Sequence, residues 1–279
     1  MPSLKTTLPV VLLGLASCQT APGYPTTLDM TTWSVAAIDP VTGDVGVAAA
    51  SCVPTHADAL AALVPGKGAA ATQAGFDIDN RNVVFQALQE GLTAEEIIER
   101  VTDPAVDSLT SRRQYGVVTR HDGDVHTAGF TAPERLGTTG EPEPTRWAGV
   151  MGDPRWGVTV QGNTLVNERV VADGLEAFRW EDPTGFNTLA DRLMRALEAG
   201  SVAGGDVRCN DENTRQTAAL AFIVVARGTD PPYATESIGM SDQGTDAAPW
   251  LAISVAGERG GDNPLLELRL RYDQWRRGG

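Results

Sequence analysis

The familiar signatures of catalysis are missing from this sequence. It has no HExxH, no CxxC, no glycine-rich phosphate loop ending in Lys-Ser/Thr and no Gly-x-Ser-x-Gly elbow. Metalloprotease, dithiol redox, nucleotide-binding and serine-esterase readings therefore lack support. Positive charge is also short, with 22 basic residues against 36 acidic ones and a net charge of −14. That balance opposes binding to nucleic acid or to an anionic membrane surface. Linkers, internal repeats and low-complexity blocks are absent from the body of the chain. A composition of 42% hydrophobic and 21% charged residues over 279 positions is that of one globular domain.

The first residues read as targeting rather than structure. Lys5 supplies a minimal positive region, and the apolar run Leu8 to Leu15 is too short to span a bilayer. Leu15-Ala16-Ser17-Cys18 matches the bacterial lipoprotein cleavage pattern, with small residues before the cysteine. Residues 1–17 are thus expected to be a signal peptide, Cys18 to be lipidated, and residues 18–30, rich in Pro, Thr and Gly, to be an extended tether. A plain signal peptide cleaved nearby is the alternative. Gln19 does not suggest inner-membrane retention, so in a Gram-negative cell the expected location is the outer membrane, facing the periplasm. The membrane enters only through Cys18.

With Cys18 set aside, Cys52 and Cys209 remain. A pair in an exported protein reads as a disulfide. The rival reading makes Cys52 a catalytic thiol with His56 as its base.

The stretch Thr31 to Cys52 reads as a β-hairpin: an apolar run from Trp33 to Ile38, a turn over Asp39 to Asp44 carrying Pro40 and Gly43, and a second run from Val45. Strand side chains alternate, so Thr32 and Ser34 share a face, and reversal brings Ser51 beside them. Val53 to Lys67 is expected to be a loop or short helix, and Gly68 to Ala74 a buried strand. Helices are expected over Asn80–Glu90, capped by Gly91, and after Thr93, where Glu96 completes a capping box. Gln114 to Phe130 reads as a second hairpin. Its His121, Asp122, Asp124 and His126 look superficially like metal ligands, but Asp-Gly is what a two-residue turn requires. Thr131 to Arg146 is an exposed excursion long enough to overhang a site. Further strands lead to Gln161-Gly162-Asn163; helices are expected over Glu168–Phe178 and Thr188–Ala199, the latter capped by Gly200. Strands over Gln216–Ala226 and Trp250–Ala256 and a helix over Pro264–Trp275 close the chain. The clustered strands and paired helices suit two sheets between helix layers.

Thr32-Trp33-Ser34, Asp39-Pro40-x-Thr42-Gly43 and Gly46-Val47-Ala48-x-Ala50-Ser51 resemble a bacterial family of unknown function, DUF1028. The resemblance continues through Gly68 to Ala74, Gln161-Gly162-Asn163, Ala203-Gly204-Gly205-Asp206 and Arg215 to Leu220. Members of that family look like N-terminal nucleophile (Ntn) hydrolases. The resemblance implies an α+β fold, a four-layer αββα sandwich of two mainly antiparallel sheets, built by residues 31–279 as a single domain. It also implies catalysis by Thr32, with Ser34 and Ser51 relaying protons and Asn163 or a backbone N–H holding the oxyanion. Gln73, Gln161 and Asp206 would then border the substrate, a small amide or peptide, with no cofactor and no metal. In such a mechanism the nucleophile's own α-amine is the base, its pKa of about 7.7–8 suiting it to neutral pH. With Cys18 as the mature start, activation needs a second cut between Thr31 and Thr32. The other outcomes are a lipid-anchored, catalytically silent binding protein and a structural envelope component. A homodimer is left open, and no nucleic-acid partner is expected.

Overall fold

The computed structural model describes residues 27–30, 32–54, 57–132, 147–210, 213–234 and 249–278. Cys18, His56 and the excursion over 133–146 lie outside them. The expected first hairpin is present as β2 (Thr32–Ile38) and β3 (Val45–Ser51), paired from Thr32↔Ser51 to Ile38↔Val45. Asp39 explains the tight reversal. Its carboxylate accepts the backbone N–H groups of Val41 at 2.8 Å and Thr42 at 3.1 Å, while Gly43 takes φ 76°.

Two antiparallel sheets follow. The first orders β11 (Tyr233–Ala234), β4 (Ala61–Val64), β5 (Gly68–Asp77), β6 (Arg113–His121) and β7 (Asp124–Thr131), with β1 (Thr27–Met30) also on β5. The second orders β12 (Leu251–Ala256), β10 (Leu220–Ala226), β3, β2, β9 (Val158–Leu165) and β8 (Trp147–Asp153). Helices α1 (Ile78–Glu90) and α2 (Ala94–Thr102) cover the outside of the first sheet. Helices α3 (Arg169–Arg179), α4 (Leu189–Val202) and α5 (Pro264–Gly278) cover the second. The protein is therefore an α+β, four-layer αββα sandwich. Among the described residues no helix is long and apolar enough to cross a membrane.

Strand alternation assigns each layer its residues. Trp33, Val35 and Ala37 of β2 face the helices, whereas Ala36 and Ile38 face the other sheet, the side that Thr32 and Ser34 share. The inter-sheet layer is apolar at one end, around Ile38, Val47, Val118 and Phe222, and polar at the other, where Thr32, Ser34, Gln73 and Gln161 lie.

Three expectations need correction. Val53 to Lys67 is not a loop or helix alone, since Ala61 to Val64 pair with β5 as β4. Thr27 to Met30 form a strand rather than a tether, because residues 75–77 of β5 run beyond β4 and β6 and β1 meets their backbone groups. Gly200 is not a cap but lies inside α4, buried against Trp33. The indole N–H of Trp33 donates to Leu197 O at 3.2 Å, and a Cβ at Gly200 would sit 2.6 Å from that nitrogen and 3.2 Å from Val170 O. Gly200→Ala is accordingly expected to cost about 1–3 kcal/mol by overpacking, although alanine is the better helix former. Urea unfolding followed by tryptophan fluorescence measures it; an unchanged or raised midpoint refutes the close-packing account.

Candidate functional site

Strands from both sheets bring the expected polar residues together. Thr32 heads β2 and pairs with Ser51, the last residue of β3, and both are fully buried. Ser34, two residues on, donates its hydroxyl to Gln73 Oε1 of β5 at 2.7 Å and accepts from Gln161 Nε2 of β9 at 2.7 Å. Gln73 Nε2 reaches back to the carbonyl of Thr32 at 3.1 Å. Gly116 of β6 makes room for Gln161, since a Cβ there would lie 1.9 Å from its Oε1.

One member of the cluster was not anticipated. Gln114 of β6 is wholly buried, and its Oε1 accepts from Gln73 Nε2 at 2.7 Å and Asn163 Nδ2 at 2.9 Å. The two hydrogens of its Nε2 are shared among Gly162 O at 2.8 Å, Thr131 Oγ1 at 2.9 Å and Gly149 O at 3.3 Å. The sequence signal was faint: a polar residue heading a strand whose alternate positions, Gly116 and Val118, turn inward.

The backbone is strained beside two of these amides. Ala74, following Gln73, has φ 70°, and Thr164, following Asn163, has φ 57°. Left-handed backbone in residues that carry a Cβ costs of the order of 1–3 kcal/mol and clusters at functional sites. At Ala74 it also resets the strand's phase. Ala69 and Ala71 face the inter-sheet layer, and after the reversal so does Phe76.

Against this connected network, two buried polar atoms at the site have no hydrogen-bond partner: Thr32 Oγ1 and Gln161 Oε1. Buried polar atoms are normally satisfied, so each of these orphans calls for an explanation, as do the likewise unpartnered hydroxyls of Thr119 and Thr159.

Asp206 sits at the margin. Its carboxylate accepts the N–H of Cys52 at 3.3 Å and that of Arg208 at 3.0 Å, and it pairs with the Arg208 guanidinium. Burial pushes its carboxyl upward, opposed by the Arg208 charge and these hydrogen bonds. Cys52 and Cys209 are bonded, with Cα atoms 5.7 Å apart. That overturns the reading of Cys52 as a catalytic thiol, because a buried disulfide sulfur is no nucleophile. His121 Nδ1 lies 2.7 Å from Gly91 O, whereas His126 faces Glu95, and among the described residues no His/Cys/Asp/Glu group is gathered for a metal.

The family model described as a family of unknown function, DUF1028, matches residues 32–249. The chain belongs to DUF1028. A crystal structure of a DUF1028 protein from Silicibacter pomeroyi is similar to it, with a TM-score of 0.61 and 22% identity, covering 88% of each chain. At that identity the likeness speaks for the fold. No curated protein matches the chain. The DUF1028 match begins at Thr32, the residue carrying the orphan hydroxyl and the first of the second sheet's strand β2.

Proposed function

We propose that this DUF1028 protein is an exported amidohydrolase of the N-terminal nucleophile type, acting on a small amide or peptide through Thr32 once the chain is cut before it. The observation that carries the reading is the Thr32 hydroxyl: fully buried, without a partner, paired with Ser51 and beside the Gln73–Gln114–Asn163 network. The start of the family match at the same residue supports it. A cut between Thr31 and Thr32 frees an α-amine. Oγ then attacks the substrate carbonyl while the amine takes its proton, and the oxyanion is met by the Asn163 amide or a backbone N–H. Collapse expels the substrate's amine with that proton and leaves an ester on Thr32, which water hydrolyses. Ser51 is the neighbouring hydroxyl for proton relay, while the Ser34 proton is directed to Gln73.

The chain before the cut has its own anchorage. β1 pairs with β5 in one sheet, Met30 opposite Ala74, whereas Thr32 begins a strand of the other. Cutting between them leaves both strands held by their sheets. A lipid on Cys18, facing the periplasm from the outer membrane, is therefore compatible with maturation. The Cys52–Cys209 disulfide fits an oxidising compartment.

The second reading is a lipid-anchored binding protein without chemistry. It is favoured by one fact: in the uncut chain the Thr32 nitrogen is an amide and cannot accept a proton.

Protein purified from its native envelope separates the two. Intact mass should place the mature terminus at Thr32, and periodate, which in a polypeptide cleaves the 1,2-amino alcohol of an N-terminal Ser or Thr, should oxidise it. A β-lactone probe should acylate Thr32, Thr32→Ser should retain the adduct, and Thr32→Ala should lose it by at least about 100-fold. An acylated chain starting at Cys18 and inert to the lactone ends the hydrolase reading and leaves the binding one.

A further inference from the structure

We propose that Gln114 is the positioning residue of this site: it fixes the direction of every amide in the network and leaves Asn163 with one N–H to offer a substrate oxygen. The direction follows from backbone carbonyls, which can only accept. Gln114 faces Gly162 O at 2.8 Å and Gly149 O at 3.3 Å, so that end of its amide is the NH2 group and the other is the oxygen. Its Oε1 then requires donors, which turns the NH2 groups of Gln73 and Asn163 toward it at 2.7 and 2.9 Å.

The consequence propagates. Gln73 spends its second N–H on the Thr32 carbonyl at 3.1 Å, so its Oε1 must take the Ser34 proton at 2.7 Å. Ser34 thereby presents its lone pair to Gln161 Nε2 at 2.7 Å, and Gln161 Oε1 is left over, as observed. Turning any one of these amides over would set oxygen against oxygen or NH2 against NH2. Asn163 donates one hydrogen to Gln114, and among the described residues its second N–H has no acceptor. Gln114 thus holds the donor while Thr32 holds the nucleophile. Only the kinetic consequence of this assignment rests on the Thr32 reading.

Side-chain amide exchange in the uncut protein, followed by 15N NMR, tests the orientation without any chemistry. In wild type both hydrogens of Gln73 and of Gln114 should exchange slowly, and of the two hydrogens on buried Asn163 the one facing Gln114 should be the slower. Gln114→Met keeps the length and removes the amide; the Gln73 and Asn163 hydrogens that faced it should then exchange at least 10-fold faster. Equal exchange of the two Asn163 hydrogens in wild type would overturn the assignment, even if the variant failed to fold. Lactone acylation of mature protein supplies the kinetic readout. Gln114→Met should lower the maximal rate by about 10- to 100-fold with the half-saturating lactone concentration within about threefold, because an oxyanion donor acts in the transition state. Wild-type rate, or a loss confined to lactone affinity, would overturn the positioning role. If wild type itself is never acylated, the hydrolase reading fails and amide exchange alone decides the role of Gln114.

Discussion

Replacing Cys52 and Cys209 together by alanine is expected to lower the unfolding free energy by about 3–5 kcal/mol, among the largest effects of any change in this chain. The bond spans 157 residues, and in the chain-entropy account a loop of that size restricts the unfolded state by about 5 kcal/mol. Alanine suits the site because both half-cystines are buried against Ala219, so the loss is of the cross-link and a little packing rather than a polar group stranded in the core. The bond joins the end of β3 to the loop beyond α4. Around it, Asp206 accepts the N–H of Cys52 and Arg259 Nε donates to the Cys52 carbonyl at 3.0 Å. These contacts keep the adjacent Ser51 opposite Thr32 in the native state even when the covalent link is gone. The variant should therefore stay folded, with a lowered denaturant midpoint and nearly unchanged slope. Because the sulfurs are shielded, reductant should act on wild type only as fast as the protein unfolds. A variant with the wild-type midpoint would show that the unfolded chain is already restricted by other means.

What could be read from sequence was local chemistry. Asp39, Pro40 and Gly43 announce a turn wherever they stand together, so the β2–β3 hairpin and its facing hydroxyls were legible. The Thr93–Glu96 capping box and the left-handed Gly91, φ 83°, were legible for the same reason. The Gln161-Gly162-Asn163 motif was singled out through family resemblance, and its two amides lie in the buried polar cluster. The failures share a cause, which is dependence on a distant partner. β4 is a four-residue strand made only by its pairing with β5. Gly200 looked like a helix stop because nothing local reveals that Trp33 leans on it. Gln114 is an ordinary strand residue until the backbones of Gly149 and Gly162, 35 and 48 positions away, give its amide a direction. Composition locates polar residues; only the two-sheet geometry says which of them can satisfy one another.

Arg113→Met is expected to cost about 3–5 kcal/mol at neutral pH, the penalty for leaving a buried charge without its partner. Arg113 clasps Asp107 through Nε at 2.7 Å and Nη2 at 3.0 Å, lies 3.4 Å from Asp77, and donates to the carbonyl of Gly75. Burial works against the Asp107 charge, but the Arg113 guanidinium, the Leu109 N–H and the Asn80 amide together hold its carboxyl below the usual range. The folded state therefore binds this proton more weakly than the unfolded chain does. In wild type the stabilisation is full above pH about 4, where an unfolded aspartate is ionised, and is lost as pH falls through the lowered folded value. Without Arg113 only the Leu109 N–H and the Asn80 amide are left to oppose burial, so the Asp107 carboxyl rises relative to wild type and protonation costs the variant less than it costs wild type. The gap between the two should narrow below pH about 4, and Asp107→Asn in the Arg113→Met background should recover part of the loss at pH 7. A gap independent of pH, with no recovery in the double variant, would assign the cost to lost packing instead of charge. The cluster also sits where β5 outruns its neighbours and receives β1, Gly75 and Asp77 being the partners of Asp29 and Thr27. Loosening it should make the strand ahead of Thr32 the first to exchange its amide hydrogens, which ties the electrostatics at this corner to access at the proposed cut.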